Sequence, residues 1–223
     1  MIVDIIMPSK TNAALAPIAR SCIESLHASE PRDKFAWNVV VVETEKEETP
    51  ENIGQDSTIF YPHKEFNYNG ALNLGIKETH SDWVVLTNND VIFHQGWFRE
   101  ILRINTENPS LMSFCHWCNY DAWHPTRYPN IGNVEFIEND WIGYGMASWT
   151  ITVKRTLLEA IGTLSERVAF WYSDNVYADA LRSKGFKHVL STKSYVDHLS
   201  SKTIRTLSYN SSIDKAAYYG NAL

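Results

Sequence analysis

Trp83-Val84-Val85-Leu86-Thr87-Asn88-Asn89-Asp90 is the stretch whose reading decides the fold. Four apolar residues run without interruption and give way at once to a hydroxyl, two amides and a carboxylate. The run is short and does not alternate, which fits a strand buried on both faces, as in parallel sheets. In open α/β sheets ligands bind outside the carboxyl ends of the strands. Asp90 therefore arrives where a ligand would be held, and a carboxylate there suits a hard divalent cation. Asn and Asp also favour plain turns, and on its own the stretch reads as one.

The flanking sequence changes that balance. Ile2–Met7 reads as an apolar strand ending at Pro8-Ser9, and Trp37–Val42 as a second strand ending at Glu43. Between them, Leu15, Ile18, Ala19, Cys22, Ile23 and Leu26 recur at helical spacing within residues 13–27. Strands follow at 57–61, 83–86 and 111–114, with helices at 69–79 and 96–105 between them. Alternating strands and helices predict an α/β single domain: a mostly parallel, doubly wound, Rossmann-like sheet with helices on both faces. Ser9 and Glu43 then share one sheet edge with Asp90. Glu43 can accept hydrogen bonds from a nucleobase imide or a ribose hydroxyl, or belong to the acidic loop over residues 43–56.

Downstream the pattern is less regular. Residues 115–139, rich in aromatics, Pro, Asn and His, read mostly as loop. A strand is expected at 148–153 and a helix at 154–161, stopped by Gly162. A second helix is expected at 173–184, then short strands at 188–190 and 195–196. The residues after Ser200 read as a polar tail. Phe170-Trp171-Tyr172-Ser173-Asp174 opens the helix at 173, where an acid complements the helix dipole. The same carboxylate, beside an aromatic platform, can serve as a general base toward an acceptor hydroxyl. His198 is a candidate metal ligand or an ordinary structural histidine. Cys115-His116-Trp117-Cys118 lacks the second knuckle of a zinc site and does not open a helix as redox pairs do.

Composition excludes several classes. The 223 residues carry 20 Lys and Arg against 26 Asp and Glu, a net charge of −6, which disfavours a dedicated nucleic-acid binder. No apolar run approaches the ~18 residues of a membrane span, and Asp4 within the opening apolar stretch argues against a signal peptide. Three cysteines do not make a disulfide framework, so a cytoplasmic setting is expected. Aromatics make up 13% of the chain, and five of the eight tryptophans (117, 123, 141, 149 and 171) follow the Asn-Asn-Asp element.

Taken in order, these segments resemble the family 2-like glycosyltransferases of GT-A fold, from Ile2 to about Thr203. Ile5-Ile6-Met7-Pro8-Ser9 is similar to the strand leading to the nucleotide, and Glu43 to the acid that touches the base or ribose. Asn69-Gly70-Ala71-Leu72-Asn73 resembles the family's Asn-x-Gly helix. Leu86–Asp90 resembles the Asp-x-Asp element, Trp171–Asp174 the catalytic-acid helix, and His198 the late His-containing loop. The resemblance implies transfer of a sugar from a nucleotide diphosphate sugar, UDP-linked by expectation, to an acceptor hydroxyl, with inversion. It implies Pro8, Ser9, Glu43, Asn69, Asn73, Asn88 and Asn89 at the donor, Asp90 and His198 on Mn²⁺ or Mg²⁺, and Asp174 as base. Trp123, Trp171 and Tyr172 would stack on sugar or acceptor. Residues 1–114 would form the donor half, 115–205 the acceptor half and 206–223 a tail. Asn88 stands where the family pattern has its first Asp, and Ser173 where it often has a second acid. A catalytically silent sugar-nucleotide or glycan binder is the alternative. For the acceptor, a saccharide or lipid-linked hydroxyl competes with a modified DNA base, toward which the basic residues of 182–205 could point.

Overall fold

A computed structural model describes residues 1–44, 52–62, 65–139, 146–199 and 211–220. Its centre is one mixed sheet in the order β3-β2-β1-β4-β8-β6-β9-β5, with β7 added on β9. The strands are β1 (Ile2–Ser9), β2 (Ala36–Glu43), β3 (Ser57–Phe60), β4 (Trp83–Thr87), β5 (Val91–Phe93), β6 (Ser113–Trp117), β7 (Phe136–Glu138), β8 (Thr150–Lys154) and β9 (Val189–His198). The helices are α1 (Ala16–Ser29), α2 (Tyr68–Lys77), α3 (Trp97–Glu107), α4 (Trp123–Arg127), α5 (Arg155–Ile161), α6 (Ser173–Ser183) and α7 (Ser211–Tyr219).

β1, β2, β3 and β4 pair in parallel, as their apolar runs require. β8 enters antiparallel between β4 and β6, and β9 then runs parallel to β6. The sheet passes through the boundary at 114 without a break, because β6 straddles it. Helices cover both faces. One core gathers Met7, Val39, Val41 and Trp83 with Ile23 of α1 and Trp97 and Phe98 of α3. The other gathers Ile6, Val42 and Leu86 with Leu72 of α2, Leu158 of α5 and Tyr177 of α6. Trp37, Trp83 and Trp97 thus belong to the first core, in edge or stacked contact with Phe98 or with one another.

Gly75 lets α2 lie against β1. A Cβ built there would come within 2.3 Å of Ile6 Cγ2. Gly75→Ala is expected to destabilise the fold by about 1–3 kcal/mol through overpacking, outweighing its better helix propensity. A urea titration checks it; unchanged stability would mean that α2 slides freely on the sheet.

Several segments depart from the sequence reading. Cys115, His116 and Trp117 continue β6 rather than opening a loop. His116 is fully buried, with its ring nitrogens 2.7 Å from Ser194 Oγ and 2.9 Å from Thr152 Oγ1, so a polar residue passes as core. Burial pushes its pKa down to about 3, keeping it neutral. Cys115 and Cys118 are buried thiols, and burial raises that of Cys115 to about 12. β5 and β7 are three-residue strands, too short for a periodic signal. β9 is one ten-residue strand where two short ones were expected; the polar run Ser191–Ser194 hid the middle. The stretch read as tail contains α7.

Candidate active site

The C-terminal ends of β1, β2 and β4 meet as their register dictates. Ser9 lies opposite Glu43 across β1 and β2. Asn89 Nδ2 donates to Ser9 Oγ at 2.8 Å, and Thr44 donates through its amide and hydroxyl to the Ser9 carbonyl. Glu43 is fully buried, and its carboxylate accepts from the Thr11 amide at 3.2 Å and from the Thr11 hydroxyl. The acid expected to touch a base or ribose is thus engaged with Thr11 in the turn after β1. Pro8 precedes Ser9 within β1.

Asn69 and Asn73, expected at the donor, bind elsewhere. From α2 they reach a segment almost a hundred residues on. Asn69 Nδ2 donates to Ser165 O at 2.8 Å, Asn73 Nδ2 donates to Leu164 O at 2.8 Å, and Leu164 N donates to Asn73 Oδ1 at 2.9 Å. These amides pin the segment that leads into α6, which is a structural use of the Asn-x-Gly helix. Asn67 does the same, capping α2 while donating to Val168 O.

Asp90 leaves β4 and immediately precedes β5. Val91 pairs with His198 in the antiparallel β5–β9 ladder, and Leu199 N donates to Asp90 O at 2.9 Å. Strand register therefore brings together two residues 108 positions apart, with His198 Nε2 3.3 Å from Asp90 Oδ1. The His198 imidazole lies flat on the Trp149 indole, with centroids 5.0 Å apart and planes 12° apart. Its Nε2 is buried without a hydrogen-bond partner. An orphaned imidazole nitrogen beside a buried carboxylate fits a divalent cation bound through nitrogen and oxygen. Among the described residues no three His, Cys, Asp or Glu side chains gather as a ready-made metal cage. Asp90 and His198 would leave coordination positions for ligand oxygens and water.

Asn88 is held by its neighbours. Its amide donates to Trp149 O at 2.7 Å, and its Oδ1 accepts from the Tyr68 hydroxyl at 2.9 Å. Burial, and then the nearby Asp90 and Asp174 charges, push the Tyr68 phenol upward, so it stays a neutral donor.

A cleft of about 800 Å³ opens beside this cluster, bordered by Asn88, Trp123, Trp149, Trp171, Asp174 and His198 among others. Asp174 enters it from the first turn of α6. Burial raises its carboxyl pKa above the ordinary range, offset in part by the amides of Asn175, of Asp174 itself and of Ser148. Trp123 packs edge-on against Trp149 and carries the Arg127 guanidinium 3.4 Å above its ring. Both indole nitrogens, of Trp123 and Trp149, are buried donors without partners. Trp171 is exposed, whereas Tyr172 is already stacked on Tyr218 of α7 at 5.2 Å. The structure thus gathers Asn88, Trp123, Trp171, Tyr172, Asp174 and His198 around one cleft.

Trp149, Tyr68 and Arg127 escaped the sequence reading. Trp149 sat inside an expected strand and Tyr68 one residue before an expected helix, where core is the ordinary assignment. Of the basic residues at 182–205, Lys187 pairs with Glu138 at 2.7 Å, Lys193 with Glu135 at 2.6 Å, and Arg182 faces Asp179 at 4.0 Å. Three of the four described cations there thus face acids, Lys184 being the fourth; Lys202 and Arg205 lie outside the described residues, as do Trp141, Gly143, Ser200, Ser201 and Thr203.

Comparison with known proteins agrees with this architecture. The family model "Glycosyl transferase family 2" matches residues 4–159. No curated protein sequence matches the chain. Among solved structures, a mannosyltransferase from Pyrobaculum calidifontis in complex with GDP-Man and Mn²⁺ superposes with a TM-score of 0.65 at 16% identity. S. aureus TarS, residues 1–349, superposes at 0.66 and 12% identity. Each match covers 90% of this chain, which spans only 57% and 61% of those two chains. At such identities the likeness shows the GT-A fold.

Proposed function

The chain belongs to glycosyl transferase family 2, and from that premise we propose that it transfers a sugar from a nucleotide diphosphate sugar to an acceptor hydroxyl, with inversion. The observation that carries the reading is one cleft bordered by both Asp174 and His198, the imidazole that lies against the Asp90 carboxylate. Asp90 stands beside His198, and Asp174 enters from α6 as a separate buried carboxylate. UDP-sugars are the expected donors; GDP-mannose, bound by the Pyrobaculum relative, belongs in the same screen.

Asp90 and His198 would hold Mn²⁺ or Mg²⁺, and a cation there neutralises charge on the departing diphosphate. Asp174 takes the proton of the acceptor hydroxyl. The acceptor oxygen forms its bond to the anomeric carbon as the bond to the diphosphate breaks. That electron pair leaves with the nucleoside diphosphate, and attack from the opposite face inverts the centre. Ser9, Asn88 and Asn89 shape the donor end, while Trp123 and Trp171 offer faces for the sugar or acceptor. A saccharide or lipid-linked acceptor is favoured over DNA, because Lys187 and Lys193 are already paired with acids. Among the described residues no helix is long and apolar enough to cross a membrane.

The direction of the Asp174 shift sets a pH dependence. A base must be ionised, and burial raises this carboxyl above the usual ~3.9. Turnover should rise with pH through an apparent pKa above that value, reported by the acidic limb of kcat/KM. Hydrogen–deuterium exchange at the same pH values separates this from unfolding. An acidic limb at or below the ordinary Asp range would remove Asp174 from the base role.

A further inference from the structure

α7 is joined to the active site by one buried side chain. Asp214 is 1% exposed although it lies on a short helix near the chain's end. Its Oδ1 accepts from Ala169 N at 2.7 Å, and its Oδ2 from Phe170 N at 3.0 Å and Trp171 N at 2.8 Å. Three successive backbone amides thus converge on a single carboxylate. Charge-assisted bonds of this kind are shorter and roughly twice as strong as neutral ones.

The next residue, Tyr172, has φ +67°, a left-handed conformation that is strained for a residue other than glycine. Such strain persists where the surroundings over-determine it. Here Tyr218 stacks on the Tyr172 ring at 15°, Tyr219 meets its edge at 5.8 Å, and the Arg167 guanidinium lies 5.1 Å over Tyr218. From the opposite side, Tyr68 N donates to Ala169 O at 2.7 Å. The segment 169–172 is thereby fixed from both α2 and α7, and it ends two residues before Asp174.

We propose that Asp214 is a positioning residue for the acceptor half of the site. It acts through the 169–171 backbone to set Asp174 and Trp171, with Tyr218 holding the strained turn between them. The proposal rests on the reading of Asp174 as base, and its tests are chosen to separate the two. Misplacement of a reacting group by about 1 Å can cost on the order of 100-fold in rate. Asp214→Ala is therefore expected to lower kcat for transfer by about 10–100-fold. Affinity for the nucleoside diphosphate, titrated with Mn²⁺ present, should stay within about twofold, since Ser9, Asn89 and Asp90 lie on other elements. Asp214→Asn keeps an oxygen for two of the three amides and should fall between wild type and Asp214→Ala. Trp171 emission, taken as the difference between each protein and its Trp171→Phe counterpart, should shift in Asp214→Ala and in Tyr218→Ala. In an Asp174→Asn background, Asp214→Ala should add little to the loss of turnover.

Wild-type kcat with unshifted Trp171 emission in Asp214→Ala overturns the proposal. So does a parallel loss of nucleotide affinity in Asp214→Asn, which would mark a general folding defect. An active Asp174→Asn would instead remove the base assignment, leaving the emission shift to decide whether Asp214 orders this turn.

Discussion

Asp174→Asn is expected to lower kcat by about 10²–10⁴-fold, the span that general-base catalysis contributes, while leaving nucleoside diphosphate binding near its wild-type value. The substitution is nearly isosteric and keeps an oxygen to accept the Asn175 amide, which lies 2.9 Å from Oδ1. Only the proton-accepting charge is lost. The linkage sign supplies a control. A folded-state pKa above the unfolded one means that the folded protein holds this proton more tightly. The associated stability is full below the unfolded pKa and is lost as pH rises through the raised folded value. At neutral pH, ionised Asp174 is therefore a cost to the fold, and the Asn variant should melt no lower than wild type. Lost turnover with an equal or higher Tm would mark a residue kept for chemistry at the expense of stability. Full turnover in the variant would mean that another group takes the proton.

The second large effect concerns Asp90. Asp90→Ala is expected to reduce transfer by at least about 100-fold, since even changing a group that merely orients a metal ligand costs 10–100-fold. Mn²⁺ binding in the presence of nucleoside diphosphate, followed by electron paramagnetic resonance of free Mn²⁺, should weaken in parallel. His198→Ala should weaken it less, because a neutral imidazole contributes no charge. The position of His198 does not depend on the cation alone: the β5–β9 register and the Trp149 ring hold it. Both variants should therefore fold, which near-ultraviolet circular dichroism can confirm. Unchanged transfer by Asp90→Ala, or by wild type in excess EDTA, would remove the metal from the account.

Much of the first 114 residues was legible because its signals are local. The runs at Ile2–Met7, Trp37–Val42 and Trp83–Leu86 are apolar, short and followed by polar residues, and parallel strands buried on both faces demand that pattern. Asp90 and Asp174 could be singled out because each follows such a run or opens a helix. What could not be read was long-range. Nothing near Asn69 or Asn73 shows that their amides will be taken by Leu164 and Ser165. Nothing near Glu43 announces Thr11 as its partner. Trp149 looked like core, and is largely buried, yet its ring orients His198. Asp214 sat in a stretch with the composition of a loose tail; only the folded backbone at 169–171 gives its charge a purpose. Polar residues that satisfy one another across the sheet, such as His116 with Thr152 and Ser194, erase the apolar pattern that would have revealed the strands carrying them.

The aromatic residues divide along the same line. Trp37, Trp83 and Trp97 lie within one core, whereas Trp149 of that core and Trp123, packed against it, also border the cleft together with Trp171. Two cleft indoles hold buried N–H groups with no acceptor, and an oxygen-rich substrate would supply one.

The most direct measurement is to incubate the protein with Mn²⁺ and a panel of UDP-, GDP- and dTDP-linked sugars and to follow nucleoside diphosphate release by mass spectrometry, with and without simple saccharide acceptors. The account predicts release from one donor, slow with water and faster with an acceptor, abolished by Asp90→Ala, strongly reduced by Asp174→Asn, and giving a product of inverted anomeric configuration. Binding of a donor with no release under any of these conditions, by wild-type protein of native circular dichroism, would contradict it and leave a sugar-nucleotide-binding domain in place of an enzyme.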